Sequence, residues 1–301
     1  GINDDGVVAG WMTNGDDHPT TAYTWDPVLG LLVLDDGLPD GTTGSRASDI
    51  NHAGTVVGRV FIEQGGSTTA WPFRLDDDGL TVLFGSVADG EPMAVNEAGQ
   101  MVVRAFEGAG NALYLIEPDG TVAPLPEAPW ALANPRDLND LGWIVGDAES
   151  ADFSVDEAFL WDGEQYVMLS GPAGFSSADA EAVNDLGQIV RWGWDGGFRA
   201  VVWQDGEPFD LGAVVSDHLG TSVDLRKAFS ITDDGWVAGW GQGPGGGPEI
   251  FRVKLGPPCP DPATGEGMVR WTGADGSFQD GDNWSEGEVP GADQIVHVGG
   301  G

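Results

Sequence analysis

Two aspartate-rich turns, Asp76-Asp77-Asp78-Gly79 and Asp280-Gly281-Asp282-Asn283, have residue types that could hold a hard cation. Ca²⁺ takes about six to eight oxygen ligands. Neither segment follows the EF-hand spacing, and neither has a glutamate at the downstream distance that spacing requires. Asp-Gly and Asp-x-Gly sequences form tight turns without any metal, and turn formation is the preferred reading. Ca²⁺ is the one cofactor left open, with Asp76, Asp77, Asp78, Asp280 and Asp282 as its ligands; no other cofactor is expected. The four histidines, His18, His52, His218 and His297, are scattered without an HxH or HExxH pair, so they point to no zinc site. Cys259 is the single cysteine, with no CxxC partner or catalytic dyad beside it, and reads as an exposed free thiol or half of a disulfide to residues outside this sequence rather than a reactive group. Trp192, Trp194, Trp236 and Trp240 are candidates for a glycan or peptide groove, with core packing as the plainer explanation of each.

Other catalytic patterns are missing. There is no GxSxG, P-loop or dinucleotide fingerprint. Glycosidase chemistry needs two carboxylates at a fixed separation, and with 49 Asp plus Glu such pairs are too common to be informative. A sialidase Asp-box fails on Ser230-Ile231-Thr232-Asp233-Asp234-Gly235, which has Thr where the box has Asp. No catalytic residue is assigned, and the chain does not read as an enzyme.

Charge narrows the partners. Against the 49 acids stand 12 Lys plus Arg, for a formal net charge of −37. Such a surface repels nucleic acid and anionic membranes, and no apolar run is long enough to span a bilayer. Apolar residues make up 41% of the 301 residues, including 13 Trp and 12 Phe, enough for a substantial core despite 49 Gly.

The elements that must position these residues are set by an internal repeat. An apolar–Asn–x–x–Gly phrase recurs at Ile2–Gly6, Ile50–Gly54, Val95–Gly99, Leu138–Gly142 and Val183–Gly187, and as Ile231-Thr232-Asp233-Asp234-Gly235. The glycines are 48, 45, 43, 45 and 48 residues apart. After each phrase comes a short apolar run, such as Val56-Val57. A second run follows, ending on a large residue: Trp25, Phe73, Leu115, Trp161, Trp203 or Phe251. That residue is 16 or 19 positions past the phrase glycine, which suggests one discrete loop insertion. A third run ends on Leu34, Leu83, Leu125, Leu169 or Leu211, and a fourth leads into the next phrase.

Four short strands per repeat and no helical periodicity predict an all-β fold. A four-stranded meander cannot bury both faces alone, and units of this length close radially. The expectation is a β-propeller of about six four-stranded blades, with the terminal blades incomplete. Gly10, Gly58, Gly146 and Gly239 lie four residues past the phrase glycine, where close backbone approach near an axis is expected. Arg191 breaks that series and reads as a solvated rim residue or a channel-facing one. Trp25, Trp161 and Trp203 share a repeat position and read as core between blades.

Ile50-Asn51, Gly54, Val56-Val57-Gly58, Ala158-Phe159-Leu160-Trp161 and Asp210-Leu211-Gly212 carry three submotifs in order. On these the sequence resembles the HAF-repeat family of bacterial extracellular proteins over residues 1–255. The resemblance implies a β-propeller-like, secreted or cell-surface protein with no established catalytic residues. Residues 256–269 form a Pro/Gly-rich linker. Residues 270–301 (Trp271-Thr-Gly273, Asn283-Trp284) resemble the start of an autotransporter-like extracellular β-rich module. Residue 1 falls inside a repeat, so the sequence reads as a fragment, with targeting information upstream.

The expected function is a non-catalytic extracellular repeat domain, a binding or structural scaffold at the bacterial cell surface. It would be a monomer with a protein or glycan partner. The alternatives are a propeller-fold hydrolase or lyase acting on polysaccharide, and a Ca²⁺-dependent adhesion module. The enzyme reading requires unlike residues from several repeats to converge on one face.

Overall fold

A computed structural model describes residues 1–13, 20–107, 110–149, 156–175, 178–220, 222–243 and 245–256, and the backbone of 268–270 and 295–297. The described chain falls into two compact units, Gly1–Met168 and Leu169–Gly301.

The first unit carries four antiparallel sheets, the last strand of the fourth crossing its boundary by one residue. The first sheet is β1 (Val8–Met12), β2 (Thr21–Asp26) and β3 (Gly30–Val33). The second is β4 (Thr42–Ile50), β5 (Val56–Gln64), β6 (Ser67–Asp76) and β7 (Gly79–Val82). The third is β8 (Glu91–Val95), β9 (Met101–Glu107), β10 (Gly110–Ile116) and β11 (Val122–Pro124). The fourth is β12 (Leu132–Leu138), β13 (Ile144–Glu149), β14 (Asp156–Trp161) and β15 (Tyr166–Leu169). Leading strands of successive sheets, β4, β8 and β12, pack side by side.

The second unit has a sheet of β16 (Ala178–Val183), β17 (Ile189–Trp194), β18 (Phe198–Gln204) and β19 (Glu207–Asp210). A helix, α1 (Leu211–Leu219), follows. The last repeat forms β20 (Asp224–Ile231), β21 (Trp236–Gln242) and β22 (Pro248–Lys254). Within 270–301 and its approach, two short strands, β23 (Met268–Arg270) and β24 (Ile295–His297), pair in parallel. Among the described residues, then, six antiparallel sheets of three or four strands follow the six repeats, and the first and last have three strands each, as the incomplete repeats require.

The core lies between neighbouring sheets. Ala9, Ala22 and Leu34 of the first repeat pack with Ile50, Val60, Ile62 and Phe73 of the second. Ala94, Val102 and Leu113 meet Leu138, Ile144 and Phe159 in the same way, as do Ala182, Val190 and Val202 with Leu225, Ala228 and Val237. Each strand alternates sides with period two, so each sheet presents one apolar row to each neighbour.

The phrase itself is a hydrogen-bonded turn. In the second repeat Asn51 N donates to Thr55 O, and Gly54 N, at φ 84°, donates to Asn51 O. The Asn side chain then does two things. Its Oδ1 accepts the N–H four residues on: Val7, Thr55, Gln100, Trp143 and Gln188. Its Nδ2 donates to the backbone carbonyl of the next phrase. Within the first unit Asn3 reaches Asn51 O, Asn51 reaches Asn96 O and Asn96 reaches Asn139 O, at 2.9–3.1 Å. Within the second, Asn184 reaches Thr232 O at 3.0 Å. Asn51, Asn96, Asn139 and Asn184 are all buried. The repeat's Asn is therefore a tie between sheets as well as a turn residue.

Several expectations are corrected here. The absence of helix fails at α1, where Asp210 accepts from Ala213 N at 3.0 Å as N-cap and Gly220 closes the helix at φ 64°. Both are ordinary helix signals, hidden inside the segment read as a strand ending on Leu211. The single loop insertion inferred from the 16-or-19 spacing also fails. Gly10, Gly58, Gly146 and Gly239 face Tyr23, Phe73, Phe159 and Phe251 in the sheet register, whereas Trp25, Trp161 and Trp203 face Val8, Ile144 and Ile189. Phe73 and Phe251 therefore occupy a different position from Trp25, and the hairpins vary more continuously in length. Trp161 is buried as expected, Trp203 is half-buried and Trp25 is exposed.

The close approach at the recurring glycine is present, with a different cause. Every leading strand from β4 onward has a β-bulge at Ser48, Met93, Arg136, Glu181 or Phe229. A Cβ on Gly58, Gly146 or Gly239 would collide with the carbonyl of Arg46, Asn134 or Lys227 beside the bulge. On Gly58 and Gly239 it would also meet the ring of Phe73 or Phe251. Arg191, in the same position, is fully buried, with Nη1 donating to Leu169 O and to Ser170 O. It is not a solvated rim residue.

Candidate functional site

The core and phrase positions repeat their residues from copy to copy; two neighbouring positions do not. Five residues past the phrase glycine stand Trp11, Arg59, Arg104, Asp147, Trp192 and Trp240. Five residues before the phrase Asn or Thr stand Arg46, Glu91, Asn134, Asp179 and Lys227. The sheet register pairs them across the first two strands: Arg46 with Arg59, Glu91 with Arg104, Asn134 with Asp147, Asp179 with Trp192 and Lys227 with Trp240. A position that only held the fold together would tend to carry similar residues in each copy. These positions carry cations, anions, an amide and aromatic rings.

In the first unit they join into one network. The Arg46 guanidinium lies 4.6 Å from the Trp11 ring centre and 5.4 Å from that of Phe61, and its Nε donates to Thr20 Oγ1 at 3.3 Å. Arg59, 5.3 Å from the Phe61 ring, pairs with Glu91 at 2.8 Å. Arg104 pairs with the other oxygen of Glu91 at 2.6 Å, donates to Asn134 Oδ1 at 2.7 Å, and lies 5.0 Å from the Phe106 ring. Asn134 Nδ2 donates to Asp147 Oδ2 at 2.7 Å, and Arg136 Nε donates to Asp147 Oδ1 at 2.9 Å. Burial lowers the Arg59 pKa, Glu91 works the other way, and Arg46 and Arg104 reinforce the lowering. Two guanidiniums thus share the Glu91 carboxylate, and a third, that of Arg46, lies on the far side of the Phe61 ring contacts and acts on Arg59. Arg104 Nε is buried without a hydrogen-bond partner.

In the second unit the same positions give an aromatic box. Trp192 and Trp194 contact Phe198 edge-on at 5.2 and 5.1 Å. Lys227 Nζ lies 4.1 Å from the Trp192 ring centre and 4.3 Å from that of Phe198. Trp192 Nε1 donates to Glu181 Oε1 at 3.2 Å, and Arg226 lies 5.7 Å from Trp240. The four tryptophans picked out from the sequence are thus divided. Trp192 and Trp194 share the Phe198 ring, Trp240 sits over Arg226, and Trp236 stands at the other end of β21 between Arg252 and Lys254.

In the aspartate turn at 76–79 Asp77 and Asp78 are exposed and Asp76 is half-buried, and Asp76 Oδ1 accepts from Asp78 N at 3.0 Å. Among the described residues no group of three or more His, Cys, Asp or Glu is placed to hold a metal ion, so Asp76, Asp77 and Asp78 are not gathered into a ligand set. Asp280, Asp282 and Cys259 lie outside the described residues. Sequence reasoning missed the arginine network because each member is unremarkable within its own repeat. Aligning the repeats on their glycines and reading the one column that varies most in chemistry would have found it.

No protein-family model matches the chain, and no curated protein matches it in sequence. Solved structures match in fold. The β-propeller domain of the trilobed protease from Pyrococcus furiosus, with its open velcro topology, is 12% identical at a TM-score of 0.53, over 84% of this chain and 79% of that one. An oligogalacturonate lyase in complex with manganese is 15% identical at 0.52, over 83% and 72%. TolB from Acinetobacter baumannii is 11% identical at 0.50, over 82% of this chain, which spans 61% of the TolB chain. At such identities the likeness concerns the fold alone: this chain has an all-β fold resembling β-propeller-type domains.

Proposed function

We propose that residues 1–255 form a six-bladed, propeller-type repeat domain of the HAF-repeat kind, acting as a non-catalytic binding module at a bacterial cell surface. The observation that carries the reading is the non-repeating column. Structural positions repeat while Trp11, Arg46, Arg59, Glu91, Arg104, Asn134 and Asp147 differ, as expected where a ring of similar units builds one asymmetric ligand surface. Residues 256–269 then act as a linker to a second β-rich module at 270–301. The extracellular assignment rests on the repeat resemblance, with which the TolB likeness agrees.

The test is to pass the whole chain over a panel of immobilised polysaccharides and surface proteins, measuring bound fraction and released reducing ends together. Retention without product, weakened by Phe106→Ala, is the expected result. Product release that disappears in Glu91→Gln or Asp147→Asn would replace the binding module with a hydrolase or lyase.

A further inference from the structure

We infer that the arginine network of the first unit takes a short anionic saccharide, its carboxylate on the guanidiniums and its ring on the flanking aromatics. This rests on the binding-module reading above and names the ligand class of that site.

The charge distribution comes first. In a chain of net charge −37 with 12 basic residues, Arg46, Arg59, Arg104 and Arg136 belong to one run of contacts across three successive sheets. Along the run four guanidiniums stand against the two carboxylates directly paired with them, Glu91 and Asp147, although Asp89 also acts on Arg59. A planar fork of donors is the group that best matches a carboxylate. Salt bridges in the site are partly exposed, with side-chain accessibilities of 19% for Arg59, 18% for Arg104 and 24% for Glu91, so a ligand can reach them.

Second, the network is framed by rings that ordinary folding would have covered. Phe106 is 66% exposed and Trp11 47% exposed. Each carries a guanidinium near its ring, which holds both groups in place at little further entropic cost. An exposed ring fixed beside a charged group is a platform for the apolar face of a sugar.

Third, the acceptors limit the ligand. Glu91 and Asp147 alternate with the arginines, and Asn134 lies between them. A run of consecutive acidic side chains on a peptide would meet the partly exposed Glu91 carboxylate and be repelled, while Asp147 is buried and already accepts from Asn134 and Arg136. A ligand with one carboxylate and several hydroxyl donors satisfies both kinds of group. The overall charge disfavours a long polyanion, because repulsion from the rest of the surface acts over a Debye length of about 8 Å at physiological salt. The ligand is therefore short.

The experiment is calorimetric titration of the full chain with trigalacturonate, with its methyl ester and with a tetraglutamate peptide. Trigalacturonate should bind, with the ester and the peptide each about tenfold or more weaker. Arg104→Gln should bring trigalacturonate down to the level of the ester, and Phe106→Ala should weaken both saccharides without moving the melting temperature. Arg46→Gln serves as the second charge variant if Arg104→Gln is destabilised. Equal binding of acid and ester, tighter binding of the peptide, or no binding of trigalacturonate at millimolar concentration would each overturn the inference. None of those outcomes touches retention in the panel above, so the ligand class and the binding-module reading fail separately.

Discussion

The Asn96 side chain makes the argument at the residue scale. It accepts from Gln100 N at 2.9 Å, donates to Gln100 Oε1 at 2.8 Å and donates to Asn139 O at 3.1 Å. Thr232 shows what half of this looks like: its hydroxyl accepts from Trp236 N at 3.0 Å and donates locally to Asp234. Asn96→Thr should therefore keep the turn and lose the tie between sheets, costing about 1–2 kcal/mol. Asn96→Asp should cost more, since it sets a carboxylate against the Asn139 carbonyl. Urea denaturation midpoints of the two variants check the order. Asp49 provides a second test. Burial is the largest influence on it and raises its pKa, against the opposing hydrogen bond from Val95 N to Oδ2 at 3.0 Å. The native state then holds this proton at a pH where the unfolded chain has released it, so this group's contribution to stability falls as pH rises above about 3.8. Asp49→Asn keeps an acceptor for Val95 without that penalty. Its stability advantage over the parent should be small at the acid end of the window and grow toward neutrality. A parent more stable than Asp49→Asn at pH 7 would show that the carboxylate is stabilised by its surroundings.

At the scale of elements, the bulged leading strand and the glycine beside it act as a pair. The bulge at Arg136 brings the Asn134 carbonyl into the space a Cβ on Gly146 would occupy. Gly146→Ala must therefore shift backbone, with an expected loss of about 3 kcal/mol or more. Gly245→Ala meets nothing within 4 Å and should change the melting temperature little. Thermal melts of the two separate a packing requirement from a general intolerance of alanine. The same pair explains what could be read in advance. The phrase glycines, the alternating runs and the incomplete end repeats were legible because turns and two-sided strands constrain residue type at fixed spacing. Pairing register was not, because Phe73 and Trp25 are both large and apolar and only the ladder shows that one faces Gly58 and the other Val8. The helix at Leu211–Leu219 was missed because its first residues coincide with a strand-ending leucine of the repeat. Arg191 misled because a charged residue in a strand is usually exposed, whereas this one turns inward to main-chain carbonyls.

At the scale of the whole molecule the question is what the −37 charge does. Part of it is structural. Glu97 accepts from His52 N at 2.7 Å, Asp140 from Glu97 N at 2.7 Å and Asp233 from Asp185 N at 2.8 Å. In these three copies the residue after the phrase Asn or Thr thus caps the turn of the phrase before it, and an acid there needs no metal. Asp162 does the same within one turn: hydrogen bonds from Gln165 N and Glu164 N hold its pKa below the ordinary carboxylate value. Carboxylates repeated along adjoining turns still repel one another over distances that depend on salt. The Debye length falls from about 30 Å at 0.01 M to about 8 Å at 0.15 M, so stability should rise with ionic strength and level off once neighbouring turns are screened. The decisive comparison is NaCl with CaCl₂ at equal ionic strength. If the acids serve as turn caps and solvated charge, the two salts should raise the melting temperature by nearly the same amount. A further rise of several degrees at millimolar Ca²⁺, reversed by chelator, would mean specific binding to the native state and would restore a cation site among the aspartate turns.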